Sequence, residues 1–60
     1  MYDINAEVGR IIELIEGEDW SKLPMKDRTF LIDVIRKFNR GGDFTRKQLY
    51  YLRDLKDKLL

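Results

Sequence analysis

The chain has 60 residues, of which 12 are basic and 11 acidic, and it contains neither cysteine nor histidine. A disulfide is therefore excluded, and so is a structural zinc site, which is built from cysteine and histidine. Folding at this length buries only about 60% of the surface that the unfolded chain exposes, so helix packing has to supply the stability. We predict a single domain over residues 1–60 that holds no cofactor.

The charged residues are unevenly distributed along the chain. Residues 1–20 hold six acidic and one basic side chain, residues 21–40 hold six basic and two acidic, and residues 41–60 hold five basic and three acidic. Such asymmetry indicates an anionic partner for the basic part. The alternative is that the acidic first segment neutralises the basic remainder within the fold, and both interpretations stay open here.

Membrane insertion and secretion are not expected. The sequence has no run of about 18 apolar residues. Its N-terminus lacks the basic region and the apolar region of a signal peptide. We therefore expect an intracellular, cytoplasmic protein with no membrane partner. Whether the 60 residues are a complete protein or a domain of a larger one stays open.

The first predicted helix covers about residues 3–16. Its apolar residues recur at three- and four-residue spacing, as in an amphipathic helix: Ile4, Val8, Ile11, Ile12 and Ile15. Asp3 or Asn5 can cap its start. Gly17 is predicted to end it in the left-handed conformation. Gly9 lies mid-helix, where glycine is costly, which favours close packing against a neighbour.

The second predicted helix covers about residues 24–39, after a connector in which Trp20 is expected to fold back as a lid on the core. Pro24 suits a first helical turn, and Gly41-Gly42 ends the helix. Its predicted buried stripe consists of Phe30, Leu31, Val34, Ile35 and Phe38. Ile32 falls on the other side of this stripe and predicts an apolar edge that meets either the first helix or a partner.

The third predicted helix, about residues 46–59, has the strongest start signal. Thr45 and Gln48 have the spacing of a capping box, and Phe44 and Leu49 have that of a hydrophobic staple. A leucine stripe follows at Leu49, Leu52, Leu55 and Leu59. We therefore predict an all-α fold, a small three-helix bundle, in which the short connector makes the second and third helices an antiparallel hairpin.

Catalysis is not expected. Histidine and cysteine are absent, Ser21 is the only serine, and Gly41-Gly42 lacks the spacing of a phosphate-binding loop. Sixty residues also offer little room for a shielded pocket. The sequence therefore favours a binding module over an enzyme.

Two binding functions remain. A basic hairpin tip predicts contact with single-stranded or duplex nucleic acid, because arginines take phosphates while a tyrosine stacks a base; its candidate residues are Arg36, Lys37, Arg40, Arg46, Lys47, Tyr50 and Arg53. The alternative is a small regulator or inhibitor whose acidic first helix or surplus apolar edge binds a protein, or a second copy as a homodimer. Its candidate residues are Glu7, Glu13, Glu16, Glu18, Asp19 and Ile32. The surplus edge includes Ile12, Ile35, Trp20 and Tyr2.

Residues 23–57 contain a series of short motifs: Leu23-Pro24, Arg28-x-Phe30-Leu31, Gly41-Gly42, then Phe44-Thr45-x-Lys47-Gln48 with Leu52. This pattern resembles the small helical hairpin found in phage proteins and appended to some phage DNA helicases and replication or recombination proteins. The resemblance implies a phage or bacterial origin and a setting in nucleic-acid transactions. It assigns no binding residue and leaves the first helix unmatched.

Overall fold

A computed structural model describes residues 2–60 and contains three α-helices in this range. They are α1 (Ile4–Ile15), α2 (Met25–Asn39) and α3 (Arg46–Leu59), with a short 3₁₀ turn at Trp20–Lys22 between α1 and α2. The predicted all-α three-helix bundle is confirmed, with helix ends within one residue of expectation. The 3₁₀ turn was not predicted; the Asp19 carboxylate fixes it by accepting hydrogen bonds from the Ser21 amide at 3.0 Å and hydroxyl at 2.6 Å.

The core lies between one face of each helix. Its buried apolar residues are Val8, Ile11, Ile12, Ile15, Leu23, Leu31, Val34, Phe44, Leu49, Leu52, Leu55 and Leu59. Helices α1 and α3 each contribute four of them, and α2 contributes two. The main packing therefore joins α1 to α3, while α2 covers this pair from one side.

The direction of the helices follows from their contacts. Glu7 of α1 pairs with Arg53 of α3, and Ile4 shares a cleft with Leu49, so α1 and α3 run in the same direction. In contrast, α2 runs antiparallel to α3. Its C-terminal Lys37 lies over Phe44, and its N-terminal half meets the middle of α3, where the Phe30 and Tyr51 rings stack at 4.4 Å.

Two side chains of the predicted apolar set, Phe38 and Ile12, lie elsewhere than expected. Phe38, predicted in the buried stripe, is 36% exposed because its ring lies at the rim over Gly9. A Cβ at Gly9 would come within 2.8 Å of that ring, which confirms the close packing expected there. Ile12, predicted as surplus edge, is only 5% exposed and belongs to the core. Ile32, in contrast, is 43% exposed, as its position outside the stripe indicated.

The helix ends differ in how they are made. The prediction for Gly17 was wrong: α1 ends through Glu16 in right-handed conformation, and Gly41 is the one described residue with positive φ, at 77°. Gly41 and Gly42 end α2, since their amides bond the carbonyls of Phe38 and Lys37. Pro24 precedes the first helical residue of α2 rather than lying within its first turn.

Trp20 covers the end of the core beside the last residues of α1, as predicted. Its half-buried ring packs against the core cluster, and its indole Nε1 donates to the Ile15 carbonyl oxygen at 2.9 Å. An indole N–H that leaves water needs such a partner. Trp20 therefore ties the connector back onto the end of α1.

The capping box of α3 is present in full. The Thr45 hydroxyl oxygen accepts from the Gln48 amide at 3.2 Å, and the Gln48 side-chain oxygen accepts from the Thr45 amide at 2.8 Å. Phe44 and Leu49 are both buried beside it, as the staple requires. This cap fixes where α3 begins. It therefore also fixes the positions from which the side chains of Arg46 and Lys47, the first two residues of α3, project.

We predict that Thr45→Ala lowers the free energy of unfolding by about 1 kcal/mol, the usual cost of losing an N-cap side chain. Urea denaturation followed by circular dichroism measures this change. Thr29→Ala is the matched control, because Thr29 is an exposed interior position of α2, where alanine is the better helix former. Equal stability of Thr45→Ala and the parent chain would contradict the assigned cap.

Candidate nucleic-acid interface

One end of the bundle gathers the start of α1, the end of α2 and the start of α3. The Asn5 side chain joins them, because its Nδ2 donates to the Gly42 carbonyl oxygen at 3.0 Å and its Oδ1 accepts from the Phe44 amide at 3.3 Å. A single side chain thereby satisfies two backbone groups of the α2–α3 connector. The connector is thus held against α1.

Five of the seven predicted nucleic-acid residues converge at this end. We call them the basic tip: Arg36, Lys37, Arg40, Arg46 and Lys47. Residues 36–47 contain only one acidic residue, Asp43. No member of the basic tip forms a salt bridge within residues 2–60. The basic tip therefore leaves its positive charge available to solvent or a partner.

The members of the basic tip differ in exposure and surroundings. Lys37 is half-buried, and its Nζ lies 5.2 Å from the centre of the Phe44 ring, a cation–π contact. The other four are exposed. Arg46 and Lys47 open α3, where the helix dipole disfavours positive charge, so helix stability does not explain them.

Two carboxylates at this end weaken the positive field. Asp3 caps α1 by accepting from the Ala6 amide at 3.1 Å, and Asp43 accepts from Asn5 Nδ2 at 3.2 Å. Both perform a local structural task. They are fewer than the cations around them, so the end as a whole stays basic.

A cleft of about 230 Å³ adjoins the basic tip. It is lined by Tyr2, Ile4, Arg46, Leu49, Tyr50 and Arg53. The tyrosines are 58% and 56% exposed, for Tyr2 and Tyr50 respectively. Tyr50 therefore lies exposed beside Arg46 and Arg53, as predicted. Tyr2 was not among the predicted nucleic-acid residues; the sequence had indicated it only as part of the surplus apolar edge of the protein-binding alternative.

Arg53 differs from the basic tip because it has a partner. Its Nε and Nη2 donate to the two carboxylate oxygens of Glu7 at 2.5 and 2.7 Å, and its guanidinium lies 5.6 Å from the centre of the Tyr50 ring. Glu7 and Arg53 were assigned to opposing functions, and the structure brings them together as one pair. Part of the acidic first helix thus does neutralise the basic remainder.

The Glu7–Arg53 pair shifts both titrations. The Arg53 hydrogen bond lowers the pKa of Glu7 below its ordinary value of 4.5, against a smaller opposing effect of burial. The same hydrogen bond raises the pKa of Arg53. The pair is bidentate, the geometry in which a guanidinium holds a carboxylate most firmly.

The other candidate protein-binding residues lie elsewhere. Glu13, Glu16, Glu18 and Asp19 occupy the C-terminal end of α1 and its connector, away from the basic tip, and Ile32 lies on α2. Asp19 is partly accounted for by its bonds to Ser21, which lower its pKa. Three glutamates and Ile32 remain without a structural task.

The described part of the chain contains neither a metal-binding cluster nor a membrane-spanning helix. Among residues 2–60, no group of three acidic side chains is arranged to hold a metal ion. No helix in that range has the length and apolar character needed to cross a membrane.

We predict that Glu7→Gln lowers stability at neutral pH and that this loss fades as the pH falls. The folded-state pKa of Glu7 lies below its ordinary value of 4.5, so the contribution of the pair is present above about pH 4.5 and is lost as the pH falls through the folded-state pKa. Urea denaturation of both chains over a pH series measures the difference. Glu13→Gln, which removes an exposed carboxylate of the same helix, is the control. A pH-independent difference for Glu7→Gln would contradict the pair.

Comparisons with protein-family models, with curated proteins and with solved structures give no match to this chain.

Proposed function

We propose that this chain is a non-catalytic accessory module of DNA or RNA metabolism, which contacts nucleic acid through the basic tip. The observation that carries the proposal is the convergence of five cations, unpaired within residues 2–60, at one end of a molecule 33 Å long. Unpaired lysines and arginines on one face are the electrostatic footprint of phosphate binding.

The position of Arg46 and Lys47 supports this function further. Cations at a helix start are unfavourable by a few tenths of a kcal/mol each, so stability does not account for them. Phosphate contact accounts for them directly. The resemblance of residues 23–57 to the helical hairpin of phage replication and recombination proteins agrees with such a setting.

The binding is expected to depend strongly on salt. Neutralising several phosphates releases counterions, and the logarithm of the association constant falls linearly with the logarithm of the salt concentration. Arg46→Ala/Lys47→Ala should weaken binding to all sequences and reduce the slope by about two, one for each lost phosphate contact. Fluorescence anisotropy of labelled single-stranded and duplex oligonucleotides at low and moderate salt measures both quantities.

The matched control is Lys56→Ala/Lys58→Ala. It removes the same charge from the same helix, but at the end opposite the basic tip. It should leave the salt slope close to that of the parent chain. Absence of binding at low salt, or equal slopes for the two double variants, would overturn the proposal.

A second candidate is a small phage- or bacteria-encoded regulator that binds a protein. The exposed Ile32, together with exposed Leu14 and Met25, favours it, since apolar groups left on a small domain often meet a partner. The acidic end of α1 would then face a basic surface of a host protein or of the replication machinery. Sedimentation equilibrium tests the self-association form: a dimer that Ile32→Glu converts to monomer supports it, and a monomer at all concentrations excludes it.

A further inference from the structure

The cleft beside the basic tip has a composition that phosphate binding alone does not require. We infer that it seats one unpaired nucleobase, so that the module takes single strands in preference to duplexes. The inference rests on the proposed function and adds the class of nucleic acid and a contact residue, Tyr2, that lies outside the basic tip.

The walls and floor of the cleft suit a flat aromatic ring. Ile4 and the buried Leu49 form an apolar floor. Tyr2, which precedes the cap of α1, and Tyr50 of α3 also line the cleft, and more than half of the surface of each is exposed. Aromatic side chains bind unpaired bases by stacking, and they do so with little sequence preference because every base has a π-face.

The size of the cleft limits what it can hold. Its volume of about 230 Å³ is below the roughly 300–1,000 Å³ of sites for drug-sized ligands. A site of this size suits a single base rather than a longer stretch of a strand, whose phosphates would continue outside it. The basic tip is the adjacent surface on which the phosphates of a strand would continue, because Arg46 belongs to both.

The charges of the cleft also fit one nucleotide. Glu7 holds the Arg53 guanidinium, which also donates from Nη2 to the Tyr2 hydroxyl at 3.4 Å. Arg53 thus lines one side of the cleft, and the Glu7 carboxylate already balances its positive charge. Arg46 has no salt-bridge partner within residues 2–60 and remains to meet one phosphate.

Duplex nucleic acid presents no base to such a cleft. Its bases are paired and stacked, and one of them would have to be turned out of the helix at an energetic cost. A single strand exposes its bases without that cost. Preference for single strands is therefore built into the cleft rather than into the basic tip.

The experiment compares two strands of equal length and charge, an oligothymidylate and an abasic deoxyribose-phosphate strand. The parent chain should bind the oligothymidylate about fivefold or more tightly, in line with the lower range of base–aromatic stacking. Tyr2→Ala should abolish this preference and leave the affinity for the abasic strand unchanged. Tyr2→Phe, which keeps the ring, should retain the preference.

Ile32→Ala is the control, because it truncates an exposed apolar side chain outside the cleft and should retain the preference; far-UV circular dichroism checks the helicity of every variant. If the parent chain binds both strands equally and with salt dependence, the cleft takes no base and the inference fails, while phosphate binding by the basic tip stands. If Tyr2→Ala keeps the preference, the base is bound elsewhere and the inference fails likewise. If neither strand binds at low salt, the proposed function fails and the inference falls with it.

Discussion

The packing of α1 along α3 is the contact on which the other features of the molecule depend. Four buried residues from each helix meet there, and the Glu7–Arg53 pair fixes the two helices in register at the edge of that contact. Because both helices run in the same direction, the start of α1 comes beside the start of α3. That arrangement brings Tyr2 and Tyr50 to the same cleft and lets Asn5 reach the α2–α3 connector. The cleft is a consequence of this arrangement, whereas the basic tip follows from the antiparallel α2–α3 hairpin.

The strongest local signals predicted the helices well. A capping box and a hydrophobic staple act within one turn, so the sequence around Thr45 determines the start of α3 without help from the rest of the fold. The leucine stripe of α3 is likewise buried throughout. Gly17 shows the limit of such local rules: a glycine after a helix permits the left-handed conformation but does not impose it, and here a 3₁₀ turn capped by Asp19 determines the path of the connector.

Contacts between helices were harder to predict, because they depend on how each helix is rotated about its own axis and on whether neighbouring helices run parallel or antiparallel. Phe38 fits the apolar stripe of α2, yet its ring reaches the rim, where Gly9 leaves space for it. The pairing of Glu7 with Arg53 joins positions 46 residues apart and needs parallel α1 and α3. Treating the acidic first segment and the basic remainder as alternative surfaces was therefore too simple. The sequence did not predict Tyr2 as part of the candidate site for the same reason: only the register of α1 against α3 brings Tyr2 to the cleft.

The cations at the start of α3 are informative because the fold has to tolerate them. Arg46 and Lys47 oppose the dipole of a helix whose cap is complete, and neither forms a salt bridge within residues 2–60. A 60-residue domain has little stability to spare. A full capping box offsets the cost of two such cations, since each cap side chain typically contributes about 1 kcal/mol. The capped start of α3 therefore sets the backbone positions from which Arg46, Lys47 and Tyr50 project, which suits the proposed contact with phosphates and a base.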